Sequence, residues 1–280
     1  ASNDIDLPAK STLAYYGILN LVKTYLVLNG IKLEKDFETH GISLSQARTL
    51  KISRNTVAIS IFEQFCNLMG KPIPTAEEIT VAEILNHIPE LHEMAHGINV
   101  LSSKRKYLPI KISFKVNEEK NRVFTEISFE KQHEQRVDTS KFYTDAIESY
   151  FKEFQSTTEK ICYRSIKKKN VNKSNWVRIY RNICKEYKNF NIVSILTTKG
   201  YRYYYDLKPG KYHHLSYSYL FLFYLGTVVR YRPIETEDLL NSELRPLVSD
   251  GIEIIPNQFL YQIVGLITKQ MLVYPISKFR

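Results

Sequence analysis

Cysteine is scarce: Cys66, Cys162 and Cys184 are the only three in 280 residues. Their odd number and wide spacing argue against a disulfide framework or a cysteine-rich zinc site, and fit a reducing compartment. Glycine motifs are lacking as well. There is no Walker A loop, no G-x-G-x-x-G and no G-x-S-x-G, so nucleotide hydrolysis and serine acyl transfer have no motif behind them. Long uncharged apolar runs are also missing. The strongest candidate, Leu215 to Val229, carries Ser216, Ser218 and Thr227 and falls about one turn short of the roughly 20 residues a bilayer demands; it reads as a buried helix. The opening Ala-Ser-Asn-Asp-Ile-Asp has no basic stretch of the kind that starts a secretory signal. From these absences the expectation is a cytoplasmic protein with no membrane association and no cofactor.

What is present supports a packed core. The apolar fraction is 44%, with 20 Tyr and 14 Phe, too much for a disordered chain. Helical spacing runs from Leu13 to Leu28, where Asn29-Gly30 supplies a C-cap, and from Ile59 to Met69, ended by Gly70. Thr75 looks like an N-cap opening a helix towards Asn86, and Pro89 starts or kinks the next. The period then changes. Ile110 to Val116 and Val123 to Phe129 alternate as a hairpin, and Ile192 to Thr198 with Tyr201 to Leu207 as a second. Phe142 to Phe154, the apolar stretch from Leu215 to about Arg230, and Leu260 to Val273 have helical spacing. The expectation is an α+β chain, predominantly helical, a single unit over 1–280 with two antiparallel β-hairpins, whose first and penultimate helices share a core.

Charge is concentrated. Lys160, Arg164, Lys167, Lys168, Lys169, Lys173, Arg178, Arg181, Lys185 and Lys188 face one acid, Glu186, so residues 160–188 carry +9 of the chain's +10. Tyr163, Trp176, Tyr180 and Tyr187 interleave with them. Cations neutralise phosphates while aromatic rings stack on unpaired bases, so this segment, read as a surface insertion, is expected to contact nucleic acid or another polyanion. The plainer reading is a solvated helical face whose rings point inward.

Two further segments are more specific. One is Ala14-Tyr15-Tyr16-Gly17-Ile18-Leu19-Asn20-Leu21-Val22-Lys23, with His40-Gly41 after it; the other is Tyr224-Leu225-Gly226 followed by Arg230-Tyr231-Arg232-Pro233. Together with Glu83 to Leu91 they resemble the YaaC-like family of bacterial proteins, which carry such blocks in this order. The helical part is somewhat similar to HEPN domains, which implies a ribonuclease or bacterial defence setting. A further possibility is a scaffold subunit whose basic patch meets an acidic protein partner encoded in the same operon. Read as physics, Lys23 on an apolar helix needs an anionic partner, and Arg230 and Arg232 suit a helix C-terminus. If the two helices pack, Tyr16, Asn20, Lys23, His40, Arg230 and Arg232 would line a cationic pocket for a phosphate-bearing ligand. The alternative is a structural network in which these cations pair with Glu235, Glu237 or Asp238.

Chemistry-bearing motifs are weaker. His92-Glu93-Met94-Ala95-His96 has the spacing of a zinc hydrolase, but no third ligand follows at a fitting distance. The HEPN nuclease pattern of Arg followed at close range by His is not found. Asp206-Leu207-Lys208 is half of a nuclease signature without the acid that would complete it. Binding is therefore the leading expectation, and a HEPN-type nuclease or a His92/His96 zinc hydrolase the alternative.

Overall fold

The structure, a computed structural model, describes residues 7–34, 37–54, 57–98, 106–117, 119–136, 150–187 and 190–270. They separate into two compact units. The described parts of 1–103 and 210–275 form the first, and those of 104–209 the second.

In chain order the first unit contributes α1 (Leu7–Leu28), β1 (Glu38–Thr39), β2 (Ile42–Leu44), β3 (Thr49–Ile52), β4 (Ile59–Ser60), α2 (Ile61–Leu68), β5 (Glu77–Thr80), α3 (Val81–Asn86), a 3-10 turn at Pro89–Leu91 and α4 (His92–Gly97). The second unit follows with β6 (Tyr107–Asn117), β7 (Arg122–Glu130), a 3-10 turn at Lys131–Arg136, β8 (Phe151–Glu153), β9 (Lys160–Ser165), β10 (Lys169–Asn170), α5 (Trp176–Tyr187), β11 (Ile192–Thr197) and β12 (Gly200–Asp206). The chain then returns to the first unit with α6 (His214–Tyr231), α7 (Pro233–Leu240) and α8 (Arg245–Thr268).

The first unit is built around α6. Every residue from Leu215 to Gly226 is buried, as the near-absence of charge in that stretch requires of a helix apolar on all sides. It packs against α1, α2, α3 and α8, with Tyr15, Val22, Phe62, Phe65, Tyr219 and Phe259 filling the interior. Gly226 permits the closest approach to α1: a Cβ there would lie 2.8 Å from Tyr15 Cβ. At the far end of α1 the expected cap forms, with Gly30 at φ +86 and Ile31 N–H donating to the Leu26 carbonyl, the bond pattern of a Schellman motif. A small antiparallel sheet of order β2-β3-β5 lies beside the helices, and β1 pairs in parallel with β4.

The second unit is a seven-stranded antiparallel sheet of order β11-β12-β6-β7-β9-β8, with β10 paired to the start of β7. Leu108, Ile127, Phe129, Phe151, Ile161 and Tyr205 are among its core residues. The two expected hairpins, β6–β7 and β11–β12, are both present, but as parts of this larger sheet. The fold is mixed α+β with a large antiparallel sheet, where a predominantly helical chain with two hairpins was expected.

Three local expectations are corrected. Thr75 does not open a helix; Glu77 to Thr80 pairs with β3, and the cap is Thr80, whose side chain accepts from Glu83 N–H. In the Phe142–Phe154 stretch, residues 142–149 lie outside the described residues, while Phe151–Glu153 is strand, paired with β9. The last helix begins at Arg245 and not near Leu260, and it runs on through Pro256; residues beyond 270 lie outside the described ones.

Candidate functional site

The blocks that carry the family resemblance converge in the first unit. Tyr15 and Tyr16 come from α1, His40 from the link between β1 and β2, and Arg230 from the last turn of α6. Gly41 sets the position of His40. It adopts φ +72, and a Cβ there would fall 1.9 Å from Ser60 Oγ. Ser60 is itself fixed as the N-cap of α2, accepting from Glu63 N–H. Only a glycine lets the chain turn tightly against this cap. The turn brings His40 Nδ1 to 2.9 Å from the Tyr15 hydroxyl, in a hydrogen bond.

Arg230 is held from two sides. Its Nε donates to the Gly226 carbonyl at 2.5 Å and its Nη1 to the Tyr16 hydroxyl at 2.6 Å. Among the described residues it has no carboxylate partner. Lys23, by contrast, is paired with Glu38 of β1. Burial, then the positive charges of Lys23 and Arg230, hold the His40 imidazole below its usual range, so it is neutral at pH 7. Burial also pushes the Tyr15 phenol well up, so it stays protonated.

The six residues expected to line one pocket therefore divide. Tyr16, His40 and Arg230 are brought together with Lys23 beside them, and Asn20 is exposed a turn further along α1. Arg232 turns elsewhere, donating to Glu235 Oε2 at 3.1 Å and to the Ser45 carbonyl at 3.2 Å. Glu235 also accepts from Arg48 N–H at 2.8 Å and from the buried Tyr224 hydroxyl at 3.0 Å. Burial alone would raise the Glu235 carboxyl, but these donors outweigh it and hold the group below its ordinary value. Its stabilising share is present above the unfolded value and is lost as pH falls through the folded one. Glu235→Ala strands two of those donors and is expected to cost about 2–3 kcal/mol by urea unfolding. Tyr15, Glu38 and Tyr231 were not singled out from sequence; the doublet of tyrosines and the spacing of Glu38 from His40 were the available signals.

The basic segment forms part of the second unit. Arg164 is occupied: it pairs with Glu126 at 2.5 Å, and its guanidinium lies 4.2 and 3.2 Å from the ring centroids of Phe124 and Phe154. Lys160 is exposed opposite Glu130 on the neighbouring strand, and Lys169 is half-buried opposite Val123. Lys167, Lys168, Lys173, Arg178 and Arg181 are exposed, and none has a carboxylate partner among the described residues. Trp176 opens α5 with 49% of its surface exposed. It packs on Tyr180 at 5.5 Å between ring centroids, and Tyr180 in turn meets Phe114 edge-on at 5.2 Å, anchoring the helix to the sheet.

Among the described residues the enzyme motifs do not gather a metal centre. His92 is buried, with Nδ1 3.3 Å from the Pro89 carbonyl and Nε2 3.5 Å from Glu93. Among the described residues no group of three His, Cys, Asp or Glu side chains is placed to hold a metal ion. Asp206 is buried and pairs with Lys106 at 3.5 Å. No helix among the described residues is long and apolar enough to cross a membrane.

No curated protein and no solved structure matches the chain, and no likeness to HEPN domains is among the findings. The model of the YaaC-like protein family matches residues 1–267. That span takes in the paired tyrosines of α1, the His40-Gly41 turn and the Gly226–Arg230 end of α6, the same blocks that the fold gathers around one guanidinium, and the chain belongs to the YaaC-like family.

Proposed function

We propose that this chain binds nucleic acid, or another polyanion of similar charge density, through the basic face of its second unit. The observation behind the reading is a half-exposed Trp176 in the same stretch of chain as Lys167, Lys168, Lys173, Arg178 and Arg181, exposed cations for which the described residues supply no carboxylate. A face of this kind neutralises backbone phosphates, and the indole supplies a platform for an unpaired base. Arg164 plays a structural part, because Glu126 and two phenyl rings already occupy it.

Fluorescence anisotropy with single-stranded and duplex oligonucleotides, across 50–300 mM salt, tests this. Replacing Lys167, Lys168 and Lys173 together by Ala is expected to weaken binding by about 10–100-fold near 100 mM salt and to flatten the salt slope by about two. Trp176→Ala should weaken single strands by roughly tenfold while touching duplex less. No binding at the lowest salt, or a triple variant that binds as the parent does, would sink the proposal.

The enzymatic alternative draws on the hydrogen bonds that hold His40 on Tyr15 and Arg230 on the adjacent Tyr16. Incubation of the chain with total RNA, with Arg230→Ala as control, tests it; cleavage by the parent and none by the variant would support it.

A further inference from the structure

Arg230 carries a charge that its surroundings do not cancel. Lys23 and Glu38 neutralise one another. His40 is partly enclosed, and Tyr15, Lys23, Glu38 and Arg230 are the polar and charged groups around it. The cluster therefore sums to a single positive charge. A guanidinium has five N–H donors, and two of them are engaged, by Gly226 and Tyr16. The other three, both on Nη2 among them, have no described partner, which leaves a fork suited to an oxyanion. Aromatic surface flanks that fork. The guanidinium lies 5.1 Å from the Tyr16 ring centroid and 5.0 Å from that of Tyr231, and these residues are 44% and 69% exposed.

We infer that Tyr16, Arg230 and Tyr231 form a receptor for a nucleotide phosphodiester, its phosphate on the guanidinium and its base or sugar on the exposed rings. One uncompensated cation matches one negative charge. A phosphate monoester, close to doubly charged at pH 7.5, brings a second charge that meets no free cation. An acetate or inorganic phosphate uses the fork and leaves the rings uncovered. The exposed face of an indole or phenol binds any base by stacking, so the site selects for charge and for a flanking ring system ahead of base identity. This inference is independent of the basic-face reading, since it uses none of the same residues.

Isothermal titration of the full chain at pH 7.5 with 3′,5′-cyclic AMP, the dinucleotide ApA and AMP tests it. At least one diester should bind about tenfold or more tighter than AMP. Cyclic AMP alone would point to a free cyclic nucleotide, and ApA alone to a strand. Arg230→Gln should weaken the diester by about tenfold or more. Tyr231→Ala, at an exposed position where folding is not at risk, should weaken it by roughly three- to tenfold. AMP binding as tightly as the diesters, no diester binding at millimolar concentration, or both Arg230→Gln and Tyr231→Ala binding within twofold of the parent would overturn the assignment.

Discussion

Gly41→Ala is expected to destabilise the first unit by about 2–4 kcal/mol, one of the largest effects of any single methyl added to this chain. Two penalties combine. The residue sits at φ +72, where an L side chain is strained by about 1 kcal/mol. Its new Cβ would also fall 1.9 Å from Ser60 Oγ and 3.0 Å from Ser60 Cβ. Ser60 cannot simply swing aside, because its hydroxyl caps α2, and loss of an N-cap costs about 1 kcal/mol. Gly30→Ala is the control. Gly30 has φ +86 but nothing within 4 Å of an added Cβ, so it carries the strain alone, about 1 kcal/mol. In a unit of this size the difference between the two variants should appear as a gap of roughly 4–10 °C in melting temperature. A second readout follows from the position of His40. If the turn is displaced, the Tyr15–His40 hydrogen bond at 2.9 Å lengthens, and the imidazole, titrated by NMR, should move up towards its ordinary value. Equal losses in the two glycine variants would show that contact with Ser60 is not what the glycine avoids.

The legibility of the chain follows the same physics. Helix α1 and the central α6 could be read because each is long, apolar and punctuated at its end, α1 by Asn29-Gly30 and α6 by Pro233. The two hairpins could be read because β6–β7 and β11–β12 join neighbours in sequence. Strands β8, β9 and β10 were hidden, since their partners are remote and Lys160 to Ser165 reads first as charge. The same bias hid Arg164, whose carboxylate partner Glu126 lies across the sheet. In the site, spacing on α1 put Tyr16 and Lys23 on one face, and the end of α6 offered Arg230. Which cation would be neutralised was not legible. Glu38 is two residues from His40 and fifteen from Lys23, and nothing local says that it closes on Lys23, while Arg232 and not Arg230 finds Glu235. Pairing across the fold, which sequence periodicity does not encode, decides where the free charge lies.

Glu90→Gln should make the protein more stable, by an amount that grows from about pH 4.5 and levels off above about pH 7. Glu90 lies in the 3-10 turn between Pro89 and Leu91, both buried, and the turn packs against α8. Its Oε2 is buried with no hydrogen-bond partner among the described residues. Burial pushes its carboxyl up to about 7 from an ordinary 4.5. Between those values the folded state binds a proton that the unfolded state has released, so stability falls as pH rises through this window. Below about pH 4.5 both states are protonated and the glutamine, a near-isostere of the neutral acid, should change little. By pH 8 the parent carries an ionised carboxylate in an apolar turn. The variant should then be more stable by roughly 3 kcal/mol, at 1.36 kcal/mol for each unit of displacement. Urea unfolding of parent and variant at pH 5, 6, 7 and 8 measures this, and subtracting the two curves removes the contribution of His40, which is the same in both. A difference that stays flat from pH 5 to pH 8 would mean that the carboxylate finds a partner or water in solution, and that the turn tolerates charge. A difference that opens steadily through pH 6 and 7 would place in the first unit an acid that its surroundings keep neutral well above the ordinary carboxyl range.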